Sequence, residues 1–244
     1  MRPIEKKQPG EHVQYKDSRG NDICHVIQAE YNPYGNAKLP LVGNLERYCS
    51  YCEGICEISA LEVEHLVARN NGGSEIAWEN FLLCCKSCNT VKSSKDIGED
   101  FHWPHLNNTF LDFVYDETGR VKLNPELPEI SKTRAQRLYN LVCLGRGNVD
   151  ATPRDYRWQR RYETWNKAVD ARAKYVARKW DEDDVISKAK DTGHWSVWFT
   201  VFAGSDAILS RLINDFKGTC RSCFDAENHY KPIPRNPENV DDPI

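Results

Sequence analysis

Two Cys-x-x-Cys pairs, Cys49 with Cys52 and Cys85 with Cys88, constrain this chain more than any other feature. Thiolates at that spacing make a tetrahedral Zn²⁺ site. Such a site closes a loop too short to bury a core of its own. The closed loop carries Glu64, His65 and Asn80, and Asn89 follows the last cysteine. A staple holding a carboxylate, an imidazole and two amides together argues for more than a structural knuckle. Cys84 adjoins Cys85 and is the alternative ligand, whereas Cys56 reads as a buried thiol.

Composition narrows the function classes. The 244 residues suit one large domain or two small ones, and 40% hydrophobic with 28% charged residues describes a largely globular chain. The formal net charge is −3, which excludes a protein that grips nucleic acid by bulk attraction. A local patch, a metal site or a partner must do that work. Met1 to Lys7 leads into Gln, Pro and Gly without the apolar core of a signal peptide. The longest near-apolar run, Trp195 to Ala203, is far short of the roughly 20 residues that span a bilayer. The expectation is a cytoplasmic protein without membrane contact, whose ten cysteines are reduced.

Along the chain, residues 1–43 read as an irregular N-terminal arm with one helix around Ile23 to Ala29. Residues 44–98 form the metal-bound unit. Ala60 to Val67 alternates and reads as a strand, Asn70 to Gly73 is a loop, Phe81 to Leu83 is a buried strand, and a helix starts near Lys86. Residues 99–230 read as mostly helical and partner-docking. Within them Phe110 to Tyr115 is a strand that pairs with Val121 to Leu123. Ser131 opens a helix with Ala135 and Leu138 inward. Tyr156 to Trp180 is a long helix whose stripe of Trp158, Tyr162, Trp165, Val169, Val176 and Trp180 faces the core, and Asp181 to Asp184 ends it. Ser205 caps a helix that buries Ile208, Leu209, Leu212, Ile213 and Phe216. Residues 231–244, rich in proline, read as a disordered tail.

The run Val63-Glu-His-Leu66, Gly72-Gly73, Trp78-Glu-Asn-Phe81, Cys85-Lys-Ser-Cys-Asn89 and Lys92 resembles the HNH nucleases and has their ββα-metal order. Asparagine stands at the third motif position, where histidine also occurs. The resemblance implies an α+β fold: a zinc-stapled ββα-metal unit with a mostly helical remainder. It implies a metal-dependent endonuclease hydrolysing phosphodiester bonds of nucleic acid, DNA before RNA. His65, neutral near pH 7, would take the proton of the attacking water. Glu64 and Asn89 would offer oxygen to a catalytic Mg²⁺ or Mn²⁺. Asn80 would tether the loop that holds His65, and Lys92 and Lys95 would touch substrate phosphates. The zinc site is structural, because four thiolates leave no open position. Neighbouring strand residues point to opposite faces, so Glu64 and His65 share a site only if the strand bends or ends there.

Plainer readings stand beside these. His65 could be a satisfied histidine in a structural zinc ribbon, and the asparagines a loop and a helix-start residue. Lys86, Lys92 and Lys95 could be a solvated face. Between Arg154 and Lys179 nine basic residues face three acidic ones, which suits phosphate binding or a solvated helix face equally. Cys220 and Cys223 form a further pair that His229, Cys24 or His25 would have to complete as a metal site. His194, Trp195 and Trp198 read as core. Looser matches flank the motif: Met1 to Lys6, Tyr51 to Glu53, Trp103-Pro104, Asn108 to Phe110, Arg157-Trp158 and Gly218-Thr219. With them the chain is similar to the PtuB family, the HNH subunit of Septu-type anti-phage systems and a retron-associated effector. That resemblance implies antiviral defence and a separate ABC/SMC-like ATPase partner, since this chain has no ATP-binding loop. A stand-alone restriction or homing nuclease, or a non-catalytic zinc-ribbon binding module, are the alternatives.

Overall fold

The computed structural model describes residues 1–95, 97–98, 100–147, 155–239 and 241–244; Arg154 of the basic stretch lies outside them. Among the described residues the sheets are four separate two-stranded antiparallel ribbons, set among helices. The first is β1 (His12–Lys16) with β2 (Asp22–Val26). The helix expected at 23–29 is therefore a strand over its first half. The cause is local. The Asp17 carboxylate accepts the Arg19 and Asn21 backbone N–H groups at 2.8 and 2.9 Å, closing a turn that folds the chain back. Ile23 and His25 then share the half-buried side.

α1 (Lys38–Leu45) packs on β1 and on the second ribbon, which pairs β3 (Leu61–His65) with β4 (Phe81–Cys85). α2 (Lys86–Lys92) follows directly, so strand, loop, strand and helix come in the expected order. All five residues of β4 are buried, since both α1 and α2 pack against it. The expected strand at 110–115 begins as a helical turn, α3 (Thr109–Asp112), because the Asn108 side chain accepts the Phe110 N–H at 3.2 Å. Its second half is β5 (Phe113–Tyr115), paired with β6 (Val121–Leu123) as expected. α4 (Glu129–Leu141) buries Ala135, Leu138 and Leu141.

The long helix α5 (Arg157–Val176) forms, but of the expected stripe only Trp165 and Trp180 pack half-buried against apolar core. It buries Arg157, Arg161, Thr164, Ala168 and Ala171, and leaves Tyr162, Val169 and Val176 exposed, the last at 72%. Ala168 and Ala171 suit the close packing of α5 on the helix that carries Trp195 and Trp198. The two arginines are drawn inward by carbonyls and thiols described below. The acidic run does not end α5; Asp181 and Asp184 form a reciprocal capping box that starts α6 (Glu182–Thr192). α7 (Trp195–Val201) and α8 (Asp206–Asp215) follow, and the five apolar residues expected around α8 are all buried.

β7 (Phe224–Asp225) and β8 (Lys231–Pro232) close the chain's last ribbon. The tail expected to be disordered is packed against the body. Ile244 is buried, and Asp242 accepts hydrogen bonds from His102, Ser131 and Arg134. Buried partners outweigh the proline content there. One apolar core runs from the N-terminal segment through the β3–β4 ribbon to α4, and a second joins α5 to α8. No helix among the described residues is long and apolar enough to cross a membrane.

Candidate active site and metal centre

The four thiols converge. Cys49, Cys52, Cys85 and Cys88 place their Sγ atoms all within 4.8 Å of one another. Cys52 and Cys85 are 3.8 Å apart. A tetrahedral ion with metal–sulfur bonds of about 2.3 Å has sulfur–sulfur edges of about 3.8 Å, so the set fits such an ion. Two backbone devices shape it. Glu53 N–H bonds the Cys49 carbonyl at 2.9 Å and Cys49 N–H bonds the Gly54 carbonyl at 3.0 Å, forming the first knuckle. In the second, Cys85 caps α2 through its sulfur, which accepts the Cys88 N–H at 3.5 Å. Cys84 is buried but lies outside the four-thiol set, as expected from alternating strand faces.

The helical remainder reaches into this centre. Arg157 donates to Cys88 Sγ at 3.3 Å and to the Val142 carbonyl at 2.8 Å, and pairs with Asp155 at 2.8 Å. Arg161, fully enclosed, donates to the carbonyls of Gly119 and Leu144. His194 bonds the Cys52 carbonyl at 3.0 Å, and burial followed by nearby Arg161 lowers its pKa to about 4, so it is neutral. Glu53, beside the first knuckle, accepts the Ser196 N–H and hydroxyl of α7 at 2.6 and 2.8 Å and the Tyr115 hydroxyl at 3.1 Å. Four thiolates with one divalent ion carry net negative charge, which two buried guanidinium groups offset.

Next to the centre, the loop from Leu66 to Asn80 is folded back on itself by one side chain. The Asn80 amide accepts the Val67 N–H at 2.8 Å and donates to the carbonyls of Val67 and Ser74 at 3.0 and 2.8 Å. The Gly72–Gly73 pair is required by that return. Gly72 has φ +84°, and a Cβ on Gly73 would lie 1.9 Å from the Val67 carbonyl oxygen. The same loop presents the Glu75 carbonyl to His65 Nε2 at 3.0 Å. A carbonyl only accepts, so Nε2 carries the proton in the neutral ring and Nδ1 is left as the acceptor. The ring lies edge-on to Tyr34 and Phe81, and burial lowers its pKa below the ordinary histidine value. At neutral pH His65 is an uncharged, oriented imidazole.

β3 ends at His65, yet Glu64 keeps the opposite side. Its carboxylate is 1% exposed, accepts the Tyr51 hydroxyl at 2.6 Å and pairs with Lys92 at 2.6 Å. Burial raises the Glu64 pKa and Lys92 opposes the rise. Lys92 also donates to the His65 carbonyl at 2.7 Å and is itself 1% exposed. Buried and paired, Lys92 holds the His65 backbone instead of presenting an ammonium to a phosphate, which corrects that expectation. Lys95 is exposed, with its ammonium 3.2 Å from the Leu141 carbonyl. Asn89 meets not Glu64 but Glu62, at 2.5 Å from amide nitrogen to carboxylate oxygen. Glu62 went unnoticed in the sequence, although it shares a strand face with Glu64. Glu62 and Asn89 together offer a carboxylate and an amide oxygen to a hard cation, whereas the Glu64 carboxylate is committed to Lys92 and Tyr51.

Residues 49–95 match the family model of the HNH endonucleases. No curated protein matches the chain. The matched segment holds the four-thiol set, the β3–β4 ribbon, the folded loop and α2. The chain thus carries a metal-dependent HNH endonuclease domain, a hydrolase of phosphodiester bonds acting on nucleic acid.

Proposed function

We propose that the chain is a zinc-stapled DNA endonuclease in which His65 is the general base. The observation that carries this reading is the seating of His65: Nε2 on the Glu75 carbonyl, the ring lowered in pKa, and its backbone held by Lys92. An imidazole so fixed has Nδ1 to receive the proton of an attacking water. The Asn80 amide keeps the loop, and with it the Glu75 carbonyl, in register. Asn89 with a carboxylate of β3 would hold the Mg²⁺ or Mn²⁺. Asn89 bonds Glu62, which lies on the face of β3 opposite His65, so the end of β3 must bend for that cation to meet the phosphate that His65 serves. When bound, that cation supplies neutralisation of charge on the phosphate and leaving oxygen. Zn²⁺ in the four thiolates keeps the ribbon and α2 together without touching substrate.

The resemblance to the Septu subunit supports a role in anti-phage defence with an ATPase encoded on another chain. The exposed face of α5 suits such docking. Tyr162, Val169 and Val176 lie exposed among Arg160, Lys167 and Arg172. Arg157 and Arg161, by contrast, are buried and unavailable to a partner.

Metal rescue of plasmid cleavage tests the cation assignment. Glu62→Gln and Asn89→Ala are expected to lose activity in Mg²⁺ and regain part of it at raised Mn²⁺. Glu64→Gln is expected to lose activity that Mn²⁺ does not restore, because its work is to hold Lys92. Rescue of Glu64→Gln alone would move the cation to that carboxylate. Replacing Tyr162, Val169 and Val176 together by Ser should abolish copurification with the ATPase while leaving zinc content unchanged, and retention of the partner would remove this face from docking.

A further inference from the structure

A cleft of about 940 Å³ opens between the N-terminal segment, the Trp78–Glu79 turn and the chain around Lys217 to Arg221. That volume is in the range of small-molecule sites. Lys6, Lys7, Lys217, Arg221 and Arg235 line it, against the carboxylates of Glu5, Glu11 and Glu79. Among the described residues none of these five cations has a carboxylate within 4.0 Å. Their hydrogen bonds instead go to carbonyls. Lys6 donates to Trp78 and, at 3.2 Å, to Glu79; Lys7 donates to His12 at 2.6 Å; Arg235 donates to Ile4 at 3.0 Å.

Two buried groups in the wall are poorly served by the protein itself. The Lys6 ammonium is buried without a paired anion, and burial lowers its pKa to about 7. His105, also in the wall, has a buried Nδ1 with no hydrogen-bond partner. Burial, then the charges of Lys6 and Arg235, lower the His105 pKa to about 3. A neutral imidazole with a spare polar atom, flanked by cations lacking counter-ions, is a site short of one anion.

We infer that this cleft binds a phosphate group, with Lys6, His105 and Arg235 as its less exposed lining and Lys217 and Arg221 as its exposed lining. Guanidinium and ammonium donors with a neutral ring donor form a recognisable phosphate cradle. The phosphate can belong to a free nucleotide or to the 5′ end of a nucleic-acid strand. Lys6 also ties the cleft to the nuclease loop, because its two carbonyl partners lie immediately before Asn80 in the chain. The inference stands whether or not His65 is the base, since it is read by binding.

The test is calorimetric titration of the full-length chain with ADP and, separately, with a single-stranded oligonucleotide bearing a 5′ phosphate. At least one probe is expected to saturate, and a triple variant Lys217→Gln, Arg221→Gln, Arg235→Gln should weaken it tenfold or more. All three side chains are partly or fully exposed, so the variant should keep its fold and its zinc, which elemental analysis checks. ADP binding alone identifies a nucleotide site, and oligonucleotide binding that weakens when the 5′ phosphate is replaced by a hydroxyl identifies a strand-end site. In the wild type the His105 ring signals should move into the titratable range on saturation, because the anion offsets Lys6 and Arg235. Neither probe binding at millimolar concentration, or undiminished binding by the triple variant, would overturn the inference.

Discussion

The two halves of this molecule are held together by different physics. Between Cys49 and Lys92, four thiols and a few specific side-chain bonds pin a two-stranded ribbon and a two-turn helix whose apolar residues join a core shared with the N-terminal segment and α4. From α5 to α8, an aromatic and aliphatic core built around Trp195, Trp198, Phe199 and Phe202 does the work. Yet the halves are not independent. Arg157 and His194, both from the helical half, end on Cys88 and Cys52. The four-thiol region is therefore tied to the helical region by groups that reach its cysteines.

The largest effect should come from the staple itself. Structural zinc contributes on the order of 10 kcal/mol to small metal domains. Cys88→Ser should lose the metal, about one zinc per chain by elemental analysis, and unfold residues 49–95. Amide exchange of α6 to α8 should stay protected. Full zinc occupancy in that variant, or collapse of the helical half with it, would break the comparison.

Arg157→Met sharpens the link between the halves. It removes a buried cation from Asp155 and from Cys88, and breaking a buried ion pair costs roughly 3–5 kcal/mol. Zinc affinity should fall along with the melting temperature. A melting temperature that falls while zinc affinity is unchanged would make Arg157 a support of Asp155 only.

The legible and illegible parts of the sequence divide along the same line. Cys49, Cys52, Cys85 and Cys88 could be read because metal coordination demands particular atoms at particular spacings. His65, Asn80 and Asn89 were singled out together by a different signal, the likeness of their motif to the HNH nucleases. In α5, helical spacing pointed to the stripe of Trp158, Tyr162, Trp165, Val169, Val176 and Trp180. That stripe looked like core, but Ala168 and Ala171 pack inward while Arg157 and Arg161 find buried acceptors. Nothing local to α5 announces those acceptors, which lie at Cys88, Val142, Gly119 and Leu144. Glu62 was missed because the motif directs attention to Glu64, and the contact that singles it out comes from α2. The proline-rich tail misled for a similar reason. Its anchor, Asp242, is held by His102 and Ser131, far off in the chain.

That anchor gives a smaller, pH-dependent effect. His102 lies between Asp112 and Asp242 at 2.8 and 2.9 Å. Burial works against its charge, but the two carboxylates win and raise its pKa above the ordinary 6.5. A raised folded-state pKa gives stability that is present below the unfolded value and lost as pH rises through the folded one. The melting temperature should fall from about pH 6.5 upward, and Asp242→Asn should flatten the dependence. An equal slope in both proteins would contradict the role of His102.

The smallest effect belongs to the exposed stripe of α5. Val176→Ser should change stability by less than about 0.5 kcal/mol, the usual range for surface substitutions. A loss above about 2 kcal/mol in chemical denaturation would mean that this face is packed.

The central claim is that His65, oriented by the Glu75 carbonyl, is the base of a metal-dependent phosphodiesterase. Cleavage of plasmid DNA by purified wild type and His65→Ala, at matched zinc content and melting temperature, tests it most directly. We expect the variant to lose about 10²–10⁴-fold in rate, the usual contribution of a general base, in Mg²⁺ and in Mn²⁺ alike. Cutting by His65→Ala within a few-fold of wild type would contradict it.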